Sequence, residues 1–138
     1  MAYSYTVKTQ NVETQLNGSV LIVDDDPAFR EILTLALEEI GLKVRGVSTG
    51  VEAMDQMRGT SFSLVITDLQ MPQLDGISLL KELKNAHIAL PPVILITANS
   101  HWLPETEPEG VVATFAKPFS AAHFLTSVRE AIKNSKRS

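Results

Sequence analysis

The chain has 138 residues, of which 44% are hydrophobic and 20% are charged, and its formal net charge is -4. These values are typical of one globular domain with a full hydrophobic core, and the acidic balance argues against direct binding of nucleic acid. The chain has no cysteine, which excludes disulfides and thiolate metal sites. No apolar run approaches the roughly 20 residues of a membrane span, and the N-terminus lacks a signal-peptide pattern. A cytoplasmic location is therefore the default expectation.

Composition divides the chain into three parts. Residues 1–18 are polar and rich in Thr, Gln and Asn, which predicts a flexible N-terminal extension. Residues 19–134 carry the regular apolar patterns of one domain. Residues 135–138 are predicted to form a frayed C-terminal tail.

The first apolar run, Val20 to Val23, is typical of a strand that is buried on both faces, and it ends in three aspartates. Asp26-Pro27 then predicts the N-cap and first residue of a helix that ends before Gly41. A second strand is predicted over Leu42 to Val47, followed by a second helix that ends near Gly59. The residues expected to face inward in these two helices are Phe29, Ile32, Leu33, Ala36, Leu37, Ile40, Val51, Met54 and Met57.

A third strand, Leu64 to Thr67, runs into Asp68 and a turn at Met71-Pro72. Asp75-Gly76 opens a third helix, with Ile77, Leu80 and Leu83 facing inward. Val93 to Thr97 is the fourth strand, because it is wholly apolar up to its terminal hydroxyl.

The next segment, residues 99–110, breaks the alternation of strands and helices. Pro104 and Pro108 lie four residues apart, and a proline inside a helix costs about 3 kcal/mol or more, so a helix here is one turn at most. A fifth strand follows over Val111 to Ala116. Ser120 then caps a last helix whose predicted inward residues are Ala121, Phe124, Leu125, Val128 and Ile132.

Five strands alternating with helices predict an α/β fold with a doubly wound parallel sheet of the flavodoxin-like type. The strand order 2-1-3-4-5 is the common one for five strands, and the helix between strands four and five is shortened or absent. Strands one and three are then neighbours. Asp24, Asp25 and Asp68 therefore meet at the carboxyl edge of the sheet, where such folds bind ligands.

Three carboxylates within a few ångströms of one another repel each other by about 4 kcal/mol per close pair at an effective dielectric constant near 20. The pocket therefore requires a cation. Hard oxygen ligands without histidine or cysteine favour Mg²⁺. Lys117 and Thr97, at the ends of strands five and four, would add a fixed positive charge and a hydroxyl. This combination suits a phosphoryl group, which an aspartate can accept as an aspartyl phosphate.

Four motifs in order resemble those of response-regulator receiver domains of two-component signalling. They are Val23-Asp24-Asp25-Asp26-Pro27, Thr67 to Pro72 with Asp75-Gly76, Thr97-Ala98, and Lys117-Pro118-Phe119. The resemblance covers about residues 19–134.

This resemblance implies specific roles for the residues of the pocket. Asp68 would accept a phosphoryl group from a histidine kinase or histidine phosphotransfer protein in a Mg²⁺-dependent reaction, and the domain would catalyse only its own phosphorylation and dephosphorylation. Asp24, Asp25 and the backbone carbonyl of Gln70 would join Asp68 in binding the metal. Thr97 would be the switch hydroxyl and Lys117 the phosphate-neutralising lysine, with a cis Lys117-Pro118 bond.

The sequence departs from the family pattern in two places. The fourth helix of the family is replaced by the proline-rich segment 99–110. The family's switch aromatic stands three residues before the lysine, where this chain has Thr114, and Phe115 one place later would point to the opposite face of its strand.

Two alternative functions remain open from the sequence. The domain could be an interaction module in which phosphorylation is weakly coupled to output, because the parts that report on the pocket are altered. It could also be a phosphatase of the dehalogenase type with an aspartate nucleophile, although Gln70 stands where that family has a second acid.

Overall fold

The computed structural model describes residues 15–71 and 74–135. Most of the predicted extension (1–14), Pro72 and the end of the predicted tail (136–138) lie outside the described residues. Residues 15 and 16 contact the end of the first helix. The Leu16 amide donates a hydrogen bond of 2.7 Å to the Ile40 carbonyl, and the Leu16 side chain packs against the core.

The sheet has five parallel strands in the order β2-β1-β3-β4-β5, which confirms the predicted topology. The strands are β1 (Ser19–Val23), β2 (Lys43–Val47), β3 (Leu64–Asp68), β4 (Val93–Thr97) and β5 (Val111–Ala116). Every residue of β3 and β4 is buried, as expected for apolar runs covered on both faces.

Four helices connect and flank the strands, namely α1 (Pro27–Glu39), α2 (Gly50–Gly59), α3 (Gly76–Asn85) and α4 (Ala121–Ser135). Asp26 caps α1 as predicted, since its carboxylate accepts hydrogen bonds from the amides of Ala28 and Phe29. Gly41 follows α1 with φ +101°, and the amides of Gly41 and Leu42 close the helix on Glu38 and Leu37. Among the described residues, no helix has the length and apolar character needed to cross a membrane.

Two apolar layers lie on opposite faces of the sheet, because alternate strand residues point to opposite sides. One layer packs under α1 and α4, and Leu37, Phe124 and Ile132 are among its most buried members. The other packs under α2 and α3 and includes Ala53 and Leu79.

Three residues predicted to face inward are exposed instead. Ile32 is 63% exposed, Val51 is 51% exposed, and Ala121 is also exposed. Each lies at the border of its helix's apolar stripe, where the rotation of the helix on the sheet decides burial. The predictions for these positions were wrong, and Ala53 takes the inward position in α2.

Residues 99–110 contain no α-helix, which confirms the prediction for this segment. The structure has a single turn of 3₁₀-helix, Ser100–Trp102, capped by the Asn99 side chain, which accepts a hydrogen bond from the His101 amide. Pro104 and Pro108 follow before β5 begins. The chain therefore crosses from β4 to β5 without the helix that would complete the doubly wound pattern.

A β-bulge at Val112 changes the faces of β5. Val111 pairs with Val93, but the next pair is Ala113 with Ile94, so Val112 has no partner across the ladder and is exposed. Val111 packs in the layer under α2 and α3, whereas Ala113 and Phe115 pack in the layer under α1 and α4. Phe115 thus lies on the α1 and α4 side of the sheet.

Gly76 provides the first stability prediction, because α3 begins close to the end of β3. A Cβ at Gly76 would stand 2.6 Å from the Asp68 carbonyl oxygen, which is backbone and cannot rotate away. We expect Gly76→Ala to lower the free energy of unfolding by about 1 to 3 kcal/mol, measured by urea denaturation. Gly59→Ala is the matched control, since a Cβ there meets nothing within 4 Å. An equal loss in both variants would contradict this account of Gly76.

Candidate functional site

Three carboxylates converge where β1 and β3 end. Val23 of β1 pairs with Thr67 of β3, so the residues that follow them, Asp24 and Asp68, leave the sheet side by side. One oxygen atom from each of Asp24, Asp25 and Asp68 lies within 4.8 Å of the other two. The structure therefore brings together the acidic residues that the sequence predicted to meet.

Asp24 is buried, and every hydrogen bond described for it helps to fix its position. Its side chain accepts a hydrogen bond of 2.9 Å from the Asp26 amide, and its amide donates to the Val47 carbonyl. Its own carbonyl accepts a hydrogen bond of 2.6 Å from the Arg30 guanidinium, which reaches back from α1. Asp25 is exposed, so this carboxylate faces solvent at the mouth of the site.

Asp68 is the second buried acid, and its two oxygen atoms have different neighbours. Oδ1 accepts a hydrogen bond of 2.9 Å from the Gln70 amide, and Oδ2 lies 3.8 Å from Lys117 Nζ. Burial, together with the negative charge of Asp24, raises the pKa of Asp68 to about 6. The Gln70 amide and Lys117 act in the opposite direction and do not offset the burial.

Lys117 supplies the positive charge of the site from the end of β5. Its Nζ lies 3.2 Å from Asp24 Oδ2, closer than it is to Asp68. The backbone is held by a hydrogen bond of 2.8 Å from the Lys117 amide to the Thr97 carbonyl, and the Lys117-Pro118 bond is cis as predicted. The structure thus joins the ends of β4 and β5 at this lysine.

Thr97 is fully buried at the end of β4, and its hydroxyl forms a closed turn with Asn99. The hydroxyl donates to the Asn99 carbonyl and accepts from the Asn99 amide, both at 3.1 Å. Both described hydrogen bonds therefore tie the hydroxyl to the start of segment 99–110. Gln70 is exposed in the loop after β3, beside the site.

The donor set fits a hard divalent cation. Carboxylate oxygens without a histidine or thiolate neighbour in the cluster are typical ligands of Mg²⁺, which also keeps several waters. Burial is the main cause of the raised pKa of Asp68, and the negative charge of Asp24 adds to it. A cation bound beside Asp68 would act in the opposite direction and favour the ionised carboxylate.

Comparison with known proteins identifies this arrangement. Residues 20–129 match the response regulator receiver domain family. The chain belongs to this family. The family match gives no support to the alternative of a dehalogenase-type phosphatase.

Three relatives illustrate how close the similarity is. The DNA-binding transcriptional regulator NtrC of Escherichia coli is 32% identical over 119 residues, covering 85% of this chain. A receiver domain from a Francisella response regulator is 31% identical with a TM-score of 0.76, covering 86% of this chain and 99% of that one. The response regulator TrrA from Thermotoga maritima, in complex with Mg(2+)-BeF, is 27% identical with a TM-score of 0.73, covering 82% and 97%.

The chain spans about a quarter of the length of NtrC, so the similarity concerns the receiver domain alone. NtrC is named as a DNA-binding regulator, and that property belongs to the whole of NtrC. What the comparison shows in common is the sequence of one 119-residue region.

This receiver domain departs from the family on its output side. Thr114 takes the position of the switch aromatic, and the nearby ring, Phe115, packs against Phe119 and Phe124 at centroid distances of 5.3 and 5.4 Å. The ring therefore lies on the side of the sheet that α1 and α4 cover.

Two further residues at the site were missed by sequence reasoning. Arg30 holds the Asp24 carbonyl, and the ring of Phe29 lies 3.8 Å from Lys117 Nζ, measured to the ring centroid. Helical spacing predicted Phe29 only as a core residue, and nothing in the pattern singled out Arg30. The one available signal was their position in the first turn after the aspartates.

A shallow groove borders the site on the side of segment 99–110. It is lined by Leu69, Gln70, Asp75, Ile77, Ser78 and Trp102. Trp102, 46% exposed, is the sole tryptophan of the chain and lies on the same groove as Gln70. Its fluorescence should therefore respond to changes in the loop after Asp68.

Proposed function

We propose that this receiver domain accepts a phosphoryl group on Asp68 from a phosphohistidine in a Mg²⁺-dependent reaction. The observation that carries the proposal is the position of Asp68, buried between two other aspartates with the Lys117 ammonium 3.8 Å away. In the similar protein TrrA, a complex with Mg(2+)-BeF is known, and beryllium fluoride resembles a phosphoryl group.

The chemistry is an in-line transfer. An Asp68 carboxylate oxygen attacks phosphorus, a P–O bond forms, the P–N bond to the donor imidazole breaks, and the imidazole takes up a proton as it leaves. Charge that builds on the phosphoryl oxygens would be stabilised by the Lys117 ammonium and, after release from Asn99, by the Thr97 hydroxyl. The domain would catalyse only this transfer and the later hydrolysis of its own aspartyl phosphate.

The metal belongs to the same proposal. Asp24, Asp25, Asp68 and the Gln70 backbone carbonyl would hold Mg²⁺, which when bound neutralises negative charge on the phosphoryl oxygens. Asp24 is held in place by its hydrogen bonds, whereas Asp25 reaches the site from the exposed side. The donor set is therefore partly preformed.

The test is intact-mass analysis after incubation with acetyl phosphate and Mg²⁺. The wild-type protein should gain the mass of one phosphoryl group, and Asp68→Asn should gain none. Asp75→Asn is the matched control, since this aspartate follows the same strand but caps α3 through the Ser78 amide. Uptake by Asp68→Asn at the wild-type level would show that another residue is the acceptor.

We expect Asp25→Asn to weaken Mg²⁺ binding about tenfold without unfolding the protein, because it removes one charged ligand at an exposed position. Isothermal titration at fixed pH measures the affinity. Asp55→Asn, which changes an exposed aspartate paired with Arg58, keeps the net charge matched. Unchanged binding in Asp25→Asn would remove this residue from the metal site.

The donor protein would be a histidine kinase or a histidine phosphotransfer protein, and the cytoplasmic location predicted from the sequence is part of this proposal. Two large apolar side chains on α1, Ile32 and Leu35, are more than half exposed, and α1 begins just after Asp24 and Asp25. Exposed apolar side chains grouped on one helix favour a protein partner, and we assign this surface to the donor. The net charge of -4 gives no support to direct nucleic-acid binding by this domain.

Phosphorylation should change segment 99–110 locally without driving dimerisation through the face that the family uses. Thr114 has no ring to move, and segment 99–110 has one turn of 3₁₀-helix but no α-helix to shift. The phosphorylated and unphosphorylated states would therefore differ little on that face. If the Thr97 hydroxyl moves to the phosphoryl group, its hydrogen bond to Asn99 breaks. Asn99 caps the 3₁₀ turn that contains Trp102, so the change would extend to Trp102.

Light scattering and Trp102 fluorescence, with and without a beryllofluoride mimic, measure these effects. We expect a fluorescence change and an unchanged molar mass. A clean monomer-to-dimer conversion that survives mutation of α1 but not of α4 would show the expectation to be mistaken.

A further inference from the structure

The Lys117 ammonium has an aromatic neighbour in addition to its two carboxylates. The Phe29 ring centroid lies 3.8 Å from Nζ, about as close as Asp68 Oδ2 and slightly farther than Asp24 Oδ2 at 3.2 Å. A cation this close to the face of an aromatic ring is attracted by the negative charge of that face. The ring thus provides an attraction that adds neither a negative charge nor an acceptor oxygen.

The position of the Phe29 ring is fixed from two directions. It belongs to the first turn of α1, and the Phe29 amide donates to the capping Asp26 carboxylate. Its ring meets Phe119 edge to face, with centroids 6.2 Å apart, and Phe119 in turn packs on Phe115 and Phe124. A ring held in this way can restrict the position of the Lys117 ammonium.

We propose that Phe29 is a positioning residue for Lys117 in phosphoryl transfer, an inference that rests on the proposed function. The Lys117 side chain is 23% exposed, so one side of the site is open to water. Lysine has a long flexible stem and a strongly hydrated head, which favours excursions toward solvent. Phe29 holds the ammonium beside Asp68 and leaves its N–H groups available for a phosphoryl oxygen.

The choice of a ring has a chemical consequence. A fourth carboxylate in place of the ring would also hold the lysine, but it would compete with the phosphoryl oxygens for the N–H donors. It would also add to the repulsion among Asp24, Asp25 and Asp68. The ring attracts the ammonium without an added charge. Phe29 therefore favours the arrangement in which Lys117 is close to the acceptor and still reactive toward an anion.

Phe29 also packs against the core under α1 and α4, so a plain truncation would mix packing with electrostatics. Replacement of Phe29 by phenylalanines with increasing numbers of ring fluorines separates the two effects. Fluorine withdraws charge from the ring face while the shape stays nearly the same. Packing should hardly change along such a series, whereas the attraction for a cation should fall stepwise.

The experiment measures the initial rate of phosphoryl uptake from acetyl phosphate by intact mass. Along the fluorinated series at position 29 we expect a stepwise decrease that reaches about threefold to tenfold, and Phe29→Tyr should remain within about twofold of wild type. The same fluorinated series at Phe124 is the matched control, because that ring belongs to the same aromatic cluster but packs on Phe115 and Phe119. No trend is expected there.

A second readout does not depend on activity. The proton resonances of the Lys117 Cε methylene should be shifted upfield by the Phe29 ring current in the protein without phosphodonor, and Phe29→Leu should remove that shift. In the Lys117→Ala background the fluorinated series should no longer affect the rate.

The outcomes separate the two proposals. Normal uptake with a flat rate along the fluorinated series would overturn the role of Phe29 and leave the proposed function standing. A folded protein that takes up no phosphoryl group would overturn the proposed function and with it the role of Phe29 in transfer. A Lys117 resonance unaffected by Phe29→Leu would overturn the contact itself.

Discussion

Replacing Lys117 by alanine is expected to slow phosphoryl uptake by roughly 100- to 1,000-fold while the domain stays folded. The ammonium lies 3.8 Å from Asp68 and is the fixed positive charge beside the acceptor. Its removal leaves the charge on the phosphoryl oxygens without this partner. The side chain is partly exposed and fills no part of either apolar layer, so the fold does not depend on its volume.

The measurement is the rate of mass gain with acetyl phosphate at saturating Mg²⁺, with circular dichroism as the check on folding. Lys84→Ala is the control, because Lys84 forms an exposed ion pair with Glu109 and such pairs contribute little. Lys117→Ala phosphorylated at the wild-type rate would exclude this lysine from the mechanism.

The fold could be predicted in nearly all its elements because three strands, β1, β3 and β4, are almost wholly apolar. Such runs belong to strands covered on both faces, and parallel neighbours need helical crossovers, so little topological choice remained. The carboxyl ends of β1 and β3 then had to lie side by side. This geometry, rather than any local motif, is what brought Asp24 and Asp68 together in the prediction and in the structure.

The errors arose where local pattern does not determine tertiary placement. Ile32 and Val51 have the spacing of inward residues, but both are more than half exposed. Only the residues at the centre of each apolar stripe are buried against the sheet. The bulge at Val112 has no glycine or other signal in the sequence, although it decides which face of β5 carries Val111.

The contacts of Lys117 show the same limit within the site. Lys117 was predicted to belong to the site from its position at the end of a strand, whereas its contact with Phe29 depends on how the start of α1 packs. Phe119, far along the chain, packs edge to face on the Phe29 ring, and Arg30 donates a hydrogen bond to the Asp24 carbonyl. Periodicity carries no information on such contacts.

The second large effect concerns stability: Asp68→Asn should be more stable than wild type in EDTA at pH 7.5, by roughly 3 kcal/mol. The pKa of Asp68 is about 6 in the folded protein, against 3.8 for an unperturbed aspartate. The folded protein therefore holds the Asp68 proton more tightly than the unfolded chain does. The stability that this proton provides is fully present below about pH 4 and is lost as pH rises through 6.

Asparagine has no proton to lose, and its side-chain oxygen can still accept the hydrogen bond from the Gln70 amide. The difference between variant and wild type should consequently be small near pH 4, grow between pH 4 and 6, and remain level above pH 6. Urea unfolding at pH 4, 5, 6 and 7.5 in EDTA measures this profile. Asp55→Asn, at an exposed aspartate, should show no comparable trend.

Mg²⁺ should reduce the difference in stability between Asp68→Asn and wild type. The wild type carries the full set of carboxylates and should gain stability on addition of Mg²⁺, whereas Asp68→Asn lacks one ligand and should gain less. The gap between the two proteins would then narrow at pH 7.5. A difference that is independent of pH from 4 to 7.5, or a gap that Mg²⁺ leaves unchanged, would mean that buried charge at Asp68 is not what destabilises the wild-type protein.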